Sequence, residues 1–239
     1  MKRTALSVLA AVAAIVSVGP ALAQSPTGVA AAGSSAAAGV AKFEAGKDYQ
    51  VFASPQPTVG DRAQGKVEVA EVFMYSCPHC AAFEPHLQAW LNKAPGYVRF
   101  VRVPAIWGAV PELHARAYYT AEALGKTAEI DGEFFNEIHV KQNLLGPGGE
   151  AIVDQLAAFF ARFGVDDKTF RSTFFSFAID AKVSRATDLV KRYQVPGTPA
   201  VIVNGKYLTN GSMAGSYDTW FAILDELVAK EHANAGAAH

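Results

Sequence analysis

The stretch from Lys66 to Ser76, KVEVAEVFMYS, is almost continuously apolar from Val67 onward. A run of this kind suits a strand covered on both faces, as in an α/β layer. It leads straight into SCPHCAAFEP, where Ser76 is placed to cap a helix and Pro78 suits its first turn. Apolar residues then recur at Phe83, Leu87, Trp90 and Leu91, with Pro85 among them predicting a kink. Tyr97 to Ile106, YVRFVRVPAI, alternates and predicts a second strand, so that strand, helix and strand make a βαβ unit with a parallel pair. Helical spacing follows over Pro111–Leu124, Thr127–Gln142, Gly149–Phe163 and Lys168–Tyr193, punctuated by GPGG at Gly146 to Gly149. No strand signal interrupts these roughly 90 residues. PAVIVNGKYLTNG, Pro199 to Gly211, predicts a β-hairpin turning at Asn204-Gly205, a type I′ signal. Tyr217 to Lys230 predicts a final amphipathic helix, with the tail from Glu231 expected to fray. The outline is β-α-β, a helical block, then β-β-α.

Composition changes this picture first at the N-terminus. Lys2 and Arg3 supply a positive flank, Ala5 to Val18 an apolar stretch, and Gly19-Pro20 a break. Ala21-Leu22-Ala23 then fits the small-x-small rule for cleavage before Gln24. Residues 1–23 are therefore expected to be an export signal, since their apolar stretch falls short of the ~20 residues that spanning a bilayer requires. Residues 24–40 are rich in Ala, Gly and Ser, without charge or aromatic side chain, and predict a flexible leader. Without Lys2 and Arg3 the 21 basic residues become 19 against 22 acidic ones, a net charge of −3. Bulk charge thus attracts neither nucleic acid nor anionic lipid. All 15 phenylalanines lie beyond the leader, enough for one domain with an insertion.

The chain has 2 cysteines, Cys77 and Cys80, both in the turn before the first long helix. As a structural clip the pair is weak. Closing so short a loop removes about 2 kcal/mol of unfolded-state entropy, less once ring strain is counted. As a metal site it lacks ligands, because a closed zinc centre wants four and no second cysteine pair exists. His79 lies between the thiols, and His86, His114, His139, His232 and His239 are scattered. No metal is expected.

A redox pair uses every feature of the turn. A thiolate at a helix N-terminus is stabilised by unpaired N–H groups and by the positive end of the helix dipole. Cys77 holds that position and is the expected nucleophile; Cys80, one turn in and more enclosed, is the expected resolving thiol. Pro78 stiffens the loop, and His79 is expected to bring a donor or a positive charge to the Cys77 sulfur. A Cys77 pKa of ~5 in place of ~8.5 would favour the reduced form at pH 7 by about 2.7 kcal/mol, or about 60 mV for a two-electron couple. A pair poised in that way gives its Cys77–Cys80 disulfide away.

These residues resemble the DsbA family of periplasmic thiol:disulfide interchange proteins, within the thioredoxin superfamily. FEAGKDY and SPQPT resemble its N-terminal segment, CPHC its active-site turn, FEPHL the helix that follows, and VPGTPAVIVNGKY the segment holding its cis-proline. The likeness runs from about Phe43 to Lys230, and a depressed nucleophile pKa is itself an established property of DsbA proteins. It implies an α/β thioredoxin fold, over residues 41–107 and 194–232, with an inserted helical domain over 108–193 and a flexible tail from 233 to 239. It implies a cis peptide between Thr198 and Pro199, facing Cys77 and bordering the substrate. It implies that Glu71, six residues before Cys77, is a buried acid beneath Cys80 that relays its proton. Arg99 and Arg102 are both candidates to pair with that acid. Thr198 departs from the valine that many oxidases of the family carry, which bears on the balance between oxidase and isomerase or reductase.

The resulting expectation is a monomeric thiol:disulfide oxidoreductase of the periplasm, with no cofactor beyond its own disulfide. It donates that disulfide to reduced exported polypeptides and, by the resemblance, is reoxidised by a DsbB-like membrane partner linked to quinone. Two alternatives stand beside it: a reductase or isomerase on the same fold, and a non-catalytic metal-binding module.

Overall fold

The computed structural model describes residues 42–60, 65–146 and 151–237. The expected signal and leader, residues 1–40, lie outside them, as do 147–149 of the GPGG run and the last two positions of the expected tail.

The apolar run becomes β2, Val67–Phe73, every residue of which is buried. It is the second-last strand of a mixed sheet that also contains β1 (Gln50–Val51), β3 (Val98–Pro104), β4 (Ala200–Val203) and β5 (Tyr207–Asn210), in the order β1-β5-β4-β2-β3. β2 and β3 are parallel and joined by helix α1, Pro78–Leu91, whereas β4 pairs with β2 antiparallel. Both faces of the sheet are covered. Val67, Val69, Val201 and Val203 pack with Phe83 and Leu87 of α1 and with Trp220, Ile223, Leu224 and Leu227 of α8, Tyr217–Ala237, which follows the one-turn helix α7, Gly211–Ala214. Ala70, Val72 and Ile202 face the opposite way, toward the helices that separate β3 from β4. This double cover is why the strands read as apolar runs instead of alternating ones.

The separating helices are α2 (Ala109–Ala123), α3 (Thr127–His139), α4 (Ala151–Ala161), α5 (Asp167–Phe174) and α6 (Phe177–Arg192). The single helix expected over Lys168–Tyr193 is in fact two. Ser176 ends the first by capping the second, its Oγ accepting from the Ile179 N–H at 3.4 Å, while Asp166 caps α5 through the Thr169 N–H at 2.9 Å. The hairpin turns where expected. Asn204 and Gly205 have φ of 52° and 65°, and Lys206 N–H donates to the Val203 carbonyl at 2.9 Å. A Cβ on Gly205 would stand 2.2 Å from the Gln56 carbonyl oxygen, so only glycine fits there.

The expectation of fraying from Glu231 is overturned. α8 continues to Ala237, and Glu231 is buried against the hairpin. Its carboxylate accepts from Asn204 Nδ2 at 2.7 Å and Tyr207 Oη at 3.2 Å and pairs with Lys206 Nζ at 2.7 Å. His232 stacks on Tyr97 with centroids 3.7 Å apart. These contacts come from sequence-distant elements, which local composition does not reveal. Glu231→Ala should therefore lower stability by about 2 kcal/mol, because it strands buried donors. Denaturant midpoints check this, and an unchanged midpoint would restore the frayed tail.

Candidate active site

β2 ends at Phe73 and hands the chain through Met74, Tyr75 and Ser76 to the cysteine turn. The cap of α1 is Cys77, not Ser76, with φ −83° and ψ 117° and no side-chain cap bond. The shift by one residue has a physical reason. It makes Pro78 the first helical residue, where its missing N–H costs nothing, and leaves the free N–H groups of the first turn to the sulfur of Cys77. The helix runs on through Pro85 to Leu91.

The two thiols, both free, sit in contrasting surroundings. Cys77 keeps 8% of its surface exposed and Cys80 none. Cys77 is pulled down to about 4: the Cys80 thiol donates to it, burial opposes, and the Thr198 side chain and the backbone N–H groups of Cys80 and His79 add to the pull. Cys80 goes far above the usual thiol range, pushed by burial, by its bond to Cys77 and by the charge of Glu71. The pair is thus one stabilised anion and one firmly held proton.

β4 begins immediately after a cis Thr198–Pro199 peptide, and when protonated Cys77 Sγ donates to the Thr198 carbonyl at 3.3 Å. Thr198, Pro199, Pro196, His79, Tyr217 and Trp220 border an open groove of about 340 Å³ beside the Cys77 turn. His79 itself is exposed, and its contribution to Cys77 runs through its backbone N–H; the expected imidazole contact is absent from the hydrogen bonds that hold the sulfur. Exposure explains this: a solvated imidazole lies along the groove and leaves the sulfur to the helix backbone.

Glu71 shares the strand parity of Val67 and Val69, so it points toward α1 and is 1% exposed. Of the two arginines, Arg102 pairs with it, Nε to Oε2 at 2.8 Å, while Arg99 pairs with Glu68. Arg102 is also held by two carboxylates that sequence reasoning missed, Glu84 of α1 and Asp131 of α3 (Nη1 to Oδ2, 2.6 Å). Tyr75 donates its hydroxyl to Asp131. A signal for Glu84 was its place in the quoted FEPHL, one turn past Cys80; Asp131 offered only a charge inside the apolar EIDGEFF. Burial pushes Glu71 up to about 7, against the pull of Arg102. Among the described residues no group of His, Cys, Asp and Glu is placed to hold a metal ion. No described helix is long and apolar enough to cross a membrane.

Comparison with known proteins agrees with this geometry. The sequence profile of the thioredoxin family matches residues 53–226. The thiol:disulfide interchange protein DsbA of Pseudomonas aeruginosa is 38% identical over 193 residues, 81% of this chain and 88% of that one. Its crystal structure superposes with a TM-score of 0.73 at 38% identity, covering 81% of this chain and 97% of that one. The oxidoreductase DsbA from Xylella fastidiosa gives a TM-score of 0.73 at 34% identity, over 80% and 98%.

Thiolate absorbance of the reduced protein should titrate with a midpoint of about 4. Thr198→Val should raise that midpoint by about half a unit to one unit through loss of one hydrogen bond, and His79→Ala, which keeps the backbone N–H, should move it less. A larger shift for His79→Ala than for Thr198→Val would return the imidazole to the site.

Proposed function

Because the chain belongs to the DsbA family of thiol:disulfide interchange proteins and is a thiol:disulfide oxidoreductase of thioredoxin fold, we propose that it works as a dithiol oxidase, giving its Cys77–Cys80 disulfide to reduced exported polypeptides in the periplasm. The observation that carries this reading is the asymmetry of the pair, an anion favoured at Cys77 and a proton held at Cys80.

At pH 7 a thiol at about 4 is ionised a thousandfold. Relative to an ordinary thiol this favours the reduced form by roughly 4 kcal/mol, which raises a two-electron potential by about 90 mV. The direction of transfer follows. A substrate thiolate attacks Cys77 Sγ, the Cys77–Cys80 bond breaks, and the electron pair leaves on Cys80, which takes a proton from Glu71. A second substrate thiolate attacks the substrate sulfur of the mixed disulfide and expels Cys77 as a stable anion. The substrate gains one disulfide and the enzyme ends as a dithiol. Pro199 has no N–H, so an extended substrate segment lies along Thr198 and Pro199 in the bordering groove, as an added strand.

The isomerase or reductase alternative needs a less stabilised anion. Thr198 works against it, because its side chain adds to the hold of the helix N-terminus on Cys77. Regeneration falls to a DsbB-like membrane reoxidase, quinone-linked, and the enzyme acts as a monomer without added cofactor.

Cys77→Ser should abolish oxidation of reduced substrate, and Cys80→Ser should accumulate mixed disulfides; equal residual activity in the two would refute the assignment of roles. The folded pKa of Cys77 lies below its unfolded value, so ionisation adds stability to the reduced form. That gain is complete above the unfolded pKa of ~8.5, shrinks as pH falls, and is gone below about 4. Denaturant midpoints should accordingly show the reduced form the more stable at pH 7, with the Cys77 contribution to the gap lost in acid. An oxidised form more stable at neutral pH, or a bridge that a glutathione buffer fails to open, would end the oxidase reading.

A further inference from the structure

Arg102 offers one positive charge to three carboxylates. Its Nε meets Glu71 at 2.8 Å, its Nη1 meets Asp131 at 2.6 Å, and its Nη2 meets Glu84. The guanidinium is 4% exposed, so solvent screens little of the repulsion among the three acids, and negative charge on one disfavours it on the others. Access separates them. Glu84 and Asp131 border a cleft of about 610 Å³ that also meets Gln88, Tyr118, Glu122 and Thr127, whereas Glu71 is enclosed and its Oε1 has no hydrogen-bond partner. Burial raises the Asp131 carboxyl; Arg102 and the Tyr75 hydroxyl, which donates to Oδ1, pull back toward the anion there.

We propose that Asp131, brought in by α3 from the helical insertion, is a positioning residue for the proton that moves with Cys80: by drawing on Arg102 it keeps Glu71 able to hold and release that proton at neutral pH. This rests on the reading of Glu71 as the proton partner of Cys80. The groups that face Glu71 are Arg102 of β3, Cys80 and Glu84 of α1, and Asp131 of α3. Behind Asp131 stand Tyr75 of the preceding loop and Tyr118 and Glu122 of α2. Burial raises Glu71 to about 7, Arg102 opposes it, and the charges of Glu84 and Asp131 support it. Without the Asp131 charge, Arg102 turns wholly to Glu71 and Glu84, and Glu71 gives up its proton too readily to return one. In the donating direction the Cys77–Cys80 bond breaks, its electron pair goes to Cys80 Sγ, and the Glu71 carboxyl proton follows; Glu71 regains a proton from solvent. In the reverse direction the Glu71 carboxylate takes the proton from Cys80 as that sulfur attacks.

The test is the rate at which Cys80 displaces glutathione from a Cys77–glutathione mixed disulfide, followed between about pH 4 and pH 9. In the native chain the rate should rise along a limb near neutrality. Asp131→Asn should move that limb down by about one pH unit while leaving the thiolate titration of reduced Cys77 in place; Tyr75→Phe should move it the same way by less. Merely structural damage would lower the rate at every pH and leave the limb where it was, which overturns the proposal. Glu71→Gln separates the two levels. If it leaves the limb intact, the reading of Glu71 fails. If it removes the limb while Asp131→Asn and Tyr75→Phe leave it unmoved, the role of Asp131 alone fails. Should Asp131→Asn not fold, the shift in Tyr75→Phe decides.

Discussion

Everything in the site is arranged around a sulfur anion at the head of α1. Backbone N–H groups of the first turn can serve an anion only if nothing else caps the helix, and here the cap residue is Cys77 itself. The rest of the site follows from keeping that anion paired and its neighbour protonated. Thr198, just before β4, adds its side chain to the hold on the sulfur, and Cys80 is sunk into the core beside a carboxylate that resists ionisation. One half of the pair faces the groove and the other faces a buried acid.

The sheet makes this arrangement possible because its registers converge at one end. Glu71 lies opposite Arg102 in the parallel β2–β3 pair and opposite Val201 in the antiparallel β2–β4 pair. Glu71 and the Thr198–Pro199 segment are therefore fixed by the same strand. α1 then carries both sulfurs on the face that packs over it. Phe83, stacked on Trp220 at 4.4 Å between centroids, ties that helix to α8 and sets its height above the sheet.

Much of this was legible from local sequence, and the rest was not, for definite reasons. The run before Cys77, the Pro78 turn and Asn204-Gly205 are signals carried by neighbouring residues, and each became the element expected. Arg99 and Arg102 could not be told apart because strand register is a tertiary property. Once Glu68 lies opposite Arg99, Glu71 must lie opposite Arg102. Asp131 escaped notice because its partner sits on another layer and its helix is otherwise ordinary. His79 is a different case: its backbone N–H reaches the sulfur, while its exposed side chain borders the groove. Glu231 was assigned to a loose end because its composition is that of a tail, whereas its partners lie in the hairpin.

The sheet's central pairing has a consequence for how the molecule is made. β2 must wait for β4, whose partner residues lie roughly 130 positions later, so the core sheet closes only across a long loop. A chain appearing from its N-terminus thus presents its dithiol well before Thr198 exists to lean on it. In that interval Cys77 lacks the part of its stabilisation that Thr198 supplies. The two sulfurs are thus synthesised early and reach their full inequality only after β4 has paired with β2.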